Sequence, residues 1–292
     1  MGRLQVDRGF PHWLWAAVAL FLVVATACSS ARDEAGQQIE TIEQPTITMV
    51  AHEYGFEVPE IVPAGRVKFR LSNRGVEAHA AQLYRLDEGV TLERFGQAMN
   101  AGITSERDLA TVVGGLANVD GGETGPLVEV TLKPGNHVVV CWLLSPTGAV
   151  HAFRGMIKAF RVADQGEIRS TDTSIDGSFE LTEYDITVPD DFDGAGSYRV
   201  MNRGEEWHEL VILRIGKKHS AKDALDHVTG VRLQNPVPYT SMGGVSGLEV
   251  DGGEAVITLD LEPGRYLFLC AVPNAREIYH ANLGMWTEVR IP

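Results

Sequence analysis

The chain repeats itself. Asn73-Arg74-Gly75 returns as Asn202-Arg203-Gly204, Leu132-Lys133-Pro134-Gly135 as Leu261-Glu262-Pro263-Gly264, and Gly155-Met156 as Gly284-Met285. Every pair is offset by the same 129 residues. The repeat predicts two domains, 46–163 and 174–292, joined by a polar stretch around Ala163 to Thr173. Each is of ordinary domain size and long enough to build its own core.

The local pattern is that of β-structure. Arg66-Val67-Lys68-Phe69-Arg70-Leu71 and Val256-Ile257-Thr258-Leu259-Asp260-Leu261 alternate in polarity with period two, which predicts half-buried strands. Pro134-Gly135 and Pro263-Gly264 are turn pairs. Each feeds a further strand, Asn136 to Trp142 or Arg265 to Ala271, and in the second Tyr266, Phe268 and Cys270 share a face. Short strands with Gly and Pro punctuation and no βαβ rhythm predict β-sandwiches. Two helical inserts are expected, at Leu92–Ala101 and Ala221–Val228.

The same offset carries the metal-binding residue types. His79 maps to His208, Cys141 to Cys270, His151 to His280 and Met156 to Met285, all without a gap. The copies have drifted across most other positions, so these four look constrained in both. Read alone, Cys141 and Cys270 could bond to each other, be buried and inert, or hold a metal. His12, His52, His137, His219 and His227 lack matched partners and read as surface or structural.

The N-terminus predicts export. Arg3 and Arg8 precede an apolar run from Trp13 to Ala25, then Ala25-Thr26-Ala27 leads into Cys28, the layout of a secretory signal peptide over residues 1–27. The run is short of the ~20 apolar residues that span a bilayer. It resembles a bacterial lipobox, which implies a lipidated Cys28, with Ser29 to Pro45 as a polar tether and the protein held on the outer side of a bacterial membrane. Charged residues make up 22% and hydrophobic residues 44%, as in folded globular chains. The formal charge of −14 argues against nucleic-acid binding and would favour a cationic partner face.

Each copy reads His, sixty-one residues, then Cys-x9-His-x4-Met. In this order and spacing the chain resembles the cupredoxins over nearly all of residues 46–292. The resemblance implies an all-β protein of two tandem Greek-key β-sandwiches. It also implies up to two type 1 (blue) copper ions, one on His79, Cys141, His151 and Met156 and one on His208, Cys270, His280 and Met285. Two imidazoles and a thiolate with a weak axial Met sulfur suit both oxidation states of copper. Electron transfer with redox partner proteins is then the expected work, with His151 and His280 near the surface as the exit route. Copper storage, or a copper-free interaction module, is the alternative.

Two-domain relatives that act as nitrite reductases or oxidases place a His beside the Cys and carry His-x-His pairs. Here Val140 and Leu269 precede the cysteines and no His-x-His occurs, so the expectation is a carrier rather than an enzyme. The family often has Asn after the first His, supporting the ligand loop near the thiolate; here Ala80 and Glu209 stand there.

Overall fold

The computed structural model describes residues 46–101, 108–168, 174–250 and 252–292. The expected leader (1–27), Cys28 and the tether (28–45) lie outside the described residues. The described residues are mostly β-strand, with two short α-helices and two 3-10 turns. Its first half runs β1 (Thr46–His52), β2 (Gly55–Glu57), β3 (Ile61–Asn73), β4 (His79–Leu86), α1 (Leu92–Ala101), β5 (Ala110–Val119), β6 (Leu127–Leu132), β7 (Gly135–Val140) and β8 (Ile157–Ile168). The second half gives the same order: β9 (Gly177–Thr182), β10 (Asp185–Thr187), β11 (Ala195–Asn202), β12 (His208–Ile215), α2 (Ala221–Val228), β13 (Tyr239–Leu248), β14 (Glu254–Asp260), β15 (Gly264–Leu269) and β16 (Trp286–Ile291). Both helices fall where the sequence predicts them. No helix among the described residues is long and apolar enough to cross a membrane.

Two long layers result. One is ordered β1-β3-β6-β14-β11-β9, the other β8-β7-β4-β5-β13-β12-β15-β16, and the long β3 connects them by pairing with β8 through its first residues. The halves meet edge to edge, β5 against β13 (Val119 opposite Met242) and β6 against β14 (Val128 opposite Ile257). The described residues from 46 to 292 accordingly form one compact unit. The pairing covers four strand edges that would otherwise offer unpaired N–H and C=O groups.

The alternation read from the sequence is the alternation observed. Val67, Phe69 and Leu71 of β3 and Ala255, Ile257 and Leu259 of β14 point into one core between the layers, to which both halves contribute. β7 and β15 instead bury both faces. Val139 and Cys141 face the central core, while Val138 and Val140 pack under α1 with Phe95 and Met99. Phe268 and Cys270 repeat the first arrangement, and Leu267 and Leu269 pack under α2 with Ala224 and Leu225. Burial of each large side chain contributes about 1.5–3 kcal/mol, enough to dock such short helices. Ser220 and Asp223 close a capping box at the start of α2.

One glycine in each half is dictated by backbone. Gly115 (φ 152°) lies against the Ala81 carbonyl and Gly244 (φ 137°) against that of Leu210, each beside a β-bulge, so that any Cβ would collide with the oxygen.

Candidate metal centres

His79 and His208 each open a strand, and an Asx turn delivers each of them there. The Asn73 amide donates to the carbonyls of Glu77 (2.7 Å) and Val119 (2.9 Å), and its Oδ1 accepts from Gly75 N (2.8 Å). Asn202 does the same with Glu206, Leu248 and Gly204. This explains the repeated Asn-Arg-Gly: Asn shapes the turn, and a Cβ on Gly75 or Gly204 would strike the following His ring and a glutamate.

The other residues lie on one closed loop. Cys141 N donates to Met156 O (3.2 Å), Ala152 N to Cys141 O (2.9 Å), His151 N to Leu143 O (2.9 Å) and Met156 N to His151 O (3.1 Å). The second half repeats all four bonds, with Cys270, Ala281, His280 and Met285 at 2.9–3.1 Å. The nine residues between Cys and His fold as a small hairpin, bridged at Leu144–Val150 and Pro273–Tyr279, so the long loop keeps its two ends together.

In the first half His79 Nδ1 and His151 Nδ1 lie 3.1 Å apart, and Cys141 Sγ is 3.4 Å from His151 Nδ1. In the second, His208 Nδ1 and His280 Nδ1 are 3.1 Å apart, with Cys270 Sγ 3.9 and 3.5 Å from them. All six side chains are fully buried. Both cysteines are free, so the disulfide alternative falls. A metal bound at about 2.0 Å from nitrogen and about 2.3 Å from sulfur separates N from S by roughly 3.7 Å in a trigonal plane. The observed triangles match that size.

Protonation points the same way. His151 Nε2 faces Glu77 Oε2 at 2.8 Å and His280 Nε2 faces Glu206 Oε2 at 2.8 Å, the first aligned as a hydrogen bond, the second close but poorly aligned. His79 and His208 have Glu53 and Glu183 beyond their Nε2 atoms at 3.9 and 3.5 Å. The Glu77 bond assigns the proton of His151 to Nε2 and leaves its Nδ1 as a bare lone pair, and the carboxylates beyond the other three rings favour the same tautomer there. Two lone pairs and a sulfur around one buried point are an electron-rich arrangement that a cation completes. Burial lowers the basicity of all four imidazoles, and with the neighbouring His151 it takes His79 to about 4. Burial raises Cys141 to about 11 and Cys270 further. Without metal each centre is therefore two neutral imidazoles and a thiol, and binding a cation must expel the thiol proton.

No family model matches the chain, and no curated protein does. Among solved structures it is similar to a dithionite-reduced auracyanin of Roseiflexus castenholzii, at 21% identity and a TM-score of 0.28 over 41% of this chain and 98% of that one. It is similar to auracyanin A, a "blue" copper protein of Chloroflexus aurantiacus, at 20% identity and 0.28 over 41% and 99%. A copper-containing nitrite reductase of Thermus scotoductus overlaps 85% of this chain and 61% of its own at 13% identity and 0.24. Scores so low carry no weight for function; the two triangles do. These groups fit a cupredoxin-like family. Both can hold copper ions, since soft thiolate with imidazole is a copper donor set.

Ala80 and Glu209 stand where the sequence resemblance expects Asn after the first His, and their backbone still serves. Ala80 N and Glu209 N each donate to the cysteine sulfur at 3.4 Å, so the bond needs no particular side chain. Glu209 adds a carboxyl that accepts from Ala271 N (3.1 Å), and burial lifts it to about 7. Ala80 offers nothing comparable.

His151 and His280 are fully buried, one side chain below the surface, each against a part-exposed glutamate. Tyr54 and Tyr184, held at φ 61° and 63° in the turn after the first strand of each half, set their rings edge-on to these imidazoles at 5.3 and 5.2 Å. Glu77 and Glu206 close the remaining side. Tyr54 and Tyr184, with Glu53 and Glu183, escape the repeat as read from the ligands, whereas Glu77 and Glu206 keep its offset of 129. The Glu-Tyr pair returns at an offset of 130, not 129, and that dipeptide is the signal that could have found it.

Met156 and Met285 are fully buried in the same core as the cysteines, their backbones bonded to both neighbouring ligand positions. His137 is buried against Phe160 (5.4 Å) with Nδ1 on Gly135 O, and His227 Nδ1 accepts from Gln234 N, both structural. His52 pairs with Glu57 at the surface.

Proposed function

We propose that this chain is an exported electron carrier, tethered to a bacterial membrane through lipidated Cys28 and built as a tandem repeat. It takes one type 1 copper on His79, Cys141, His151 and Met156 and another on His208, Cys270, His280 and Met285. The observation that carries this reading is the duplicated triangle of two buried Nδ1 atoms 3.1 Å apart with a thiol beside them. Bound copper would supply a one-electron couple between Cu(I) and Cu(II).

The chain's own residues do the rest. The Ala80 and Glu209 amides stabilise the thiolate form of each cysteine by donating to sulfur. Glu77 holds the Nε2 proton of His151, and Glu206 faces Nε2 of His280 in the same place, which fixes ring orientation and makes Nδ1 a better donor. Buried rings under Tyr54 and Tyr184 exclude water and resist rearrangement when the metal's charge changes. Val140 and Leu269 beside the cysteines supply no ligand for a neighbouring catalytic copper, which favours a carrier with redox protein partners over an enzyme.

The test is redox cycling of the copper-loaded mature chain. The reading expects reversible uptake of two electrons per chain from a one-electron donor, with no turnover of nitrite or dioxygen. Copper that binds without a reversible couple would turn the reading to storage, and turnover would turn it to catalysis.

A further inference from the structure

Three aromatic rings join the two centres, and the repeat does not supply them. Trp142 follows Cys141 directly, and its Nε1 donates to the Tyr84 hydroxyl at 2.8 Å. Tyr84, almost fully buried, meets Trp207 of the other half at a ring-centroid distance of 6.3 Å and a tilt of 58°. Trp207 directly precedes His208. Its indole is held from the far side by Glu249 Oε1 at 2.9 Å. The three rings belong to the apolar cluster under α1, with Phe95 against Tyr84 at 5.4 Å.

At the positions 129 residues away stand Ala271, Leu213 and Ala78. The candidate ligands are therefore duplicated and these rings are not. Other core positions differ between the halves too, Phe95 against Ala224 among them, so what sets these rings apart is their placement. Rings present once, and placed so that they run from one ligand cysteine to the other half's ligand histidine, have a use that only a pair of centres can have.

We propose that Trp142, Tyr84 and Trp207 form the route by which an electron passes between the two centres. This rests on the electron-carrier reading above. Tunnelling falls off more gently along covalent bonds, hydrogen bonds and packed rings than across gaps. The route here is one peptide link, one 2.8 Å hydrogen bond, one ring contact and one further peptide link. In the exchange, Cu(I) at one centre becomes Cu(II) as Cu(II) at the other becomes Cu(I). One electron moves, no proton or atom moves, and the rings begin and end in their neutral state.

The experiment uses the mature chain with copper in both centres and pulse radiolysis as the one-electron reductant. Cys141→Ser and Cys270→Ser first give the separate circular dichroism and electron paramagnetic resonance spectra of each centre. In the unaltered protein, partial reduction should be followed by redistribution between the centres at a rate independent of protein concentration. Tyr84→Leu, which installs the residue of the second half, should slow that phase by about tenfold or more while both centres keep their spectra and potentials, because it breaks the contiguous contact. Trp142→Ala, which copies Ala271 at a less buried position, should act in the same direction if Tyr84→Leu fails to fold. In the metal-free protein, near-ultraviolet circular dichroism should change only in the contribution of the Trp142–Tyr84–Trp207 cluster in both variants, with the far-ultraviolet spectrum kept. An unchanged redistribution rate in folded, doubly loaded variants would overturn the route, as would the absence of any concentration-independent phase in the unaltered protein. Absence of thiolate–copper absorption would instead remove the electron-carrier reading on which the route depends.

Discussion

At the scale of single residues, the candidate ligand positions are readable because they recur at a constant offset while most of their neighbours drift. Glu53 and Tyr54 are not, because they sit before a one-residue length difference between the halves; Glu77 and Glu206 keep the offset of 129, but a resemblance says nothing about what lies over a ring. Glu77 and Glu206 give the sharpest test at this scale. Glu77→Gln or Glu206→Gln removes the carboxylate that faces Nε2. Copper affinity at the altered centre should fall by about 10–100-fold, read by competition with a chelator, with the other centre unchanged.

Acid sensitivity belongs to this scale as well. Burial lowers His137 to about 4, as it does His79. A histidine whose folded pKa lies below its unfolded value stabilises the fold fully above about pH 6.5, and that contribution is lost as pH falls through about 4. The metal-free protein should therefore weaken between these limits. His137→Tyr copies Tyr266 at the equivalent position, whose hydroxyl donates to Glu262 O. It should remove part of the acid loss, on the order of 1–3 kcal/mol, in denaturant titrations compared at pH 7 and pH 4.5. An identical pH dependence would exclude His137 as a source.

At the scale of elements, β3 and β14 are legible because each has one wet face and one dry one. β7 and β15 lack alternation because helices cover their outer faces, and no local pattern says so. The bulged pairs β4–β5 and β12–β13 depend on Gly115 and Gly244. Gly244→Ala places a methyl against the Leu210 carbonyl at a φ that alanine avoids. It should cost about 3 kcal/mol or more, measured by denaturant unfolding, and disturb the adjacent His208 centre before the His79 centre. The unusual length of the Cys–His loop, which the sequence leaves without a shape, is absorbed by a hairpin whose stem returns His151 and His280 to their cysteines.

At the scale of the whole molecule, the repeat announces two copies but not how they meet. Edge pairing of β5 with β13 and of β6 with β14 leaves no mark in composition, because backbone groups make it. Residues 46–163 expressed alone would expose β5 and β6. This fragment should self-associate, and light scattering should show dimers or larger species where the complete chain is monodisperse. A stable monomeric half would mean that the shared layers matter little to folding.

The central claim is that each half holds one copper through its own cysteine, and Cu(II) titration of the mature chain followed by the visible thiolate-to-copper absorption tests it most directly. The band should grow linearly to two equivalents. Cys141→Ser and Cys270→Ser should each stop at one equivalent with about half the intensity, and the double variant should show none. A folded protein that takes up copper without this band, or a band that survives in the double variant, would contradict the account.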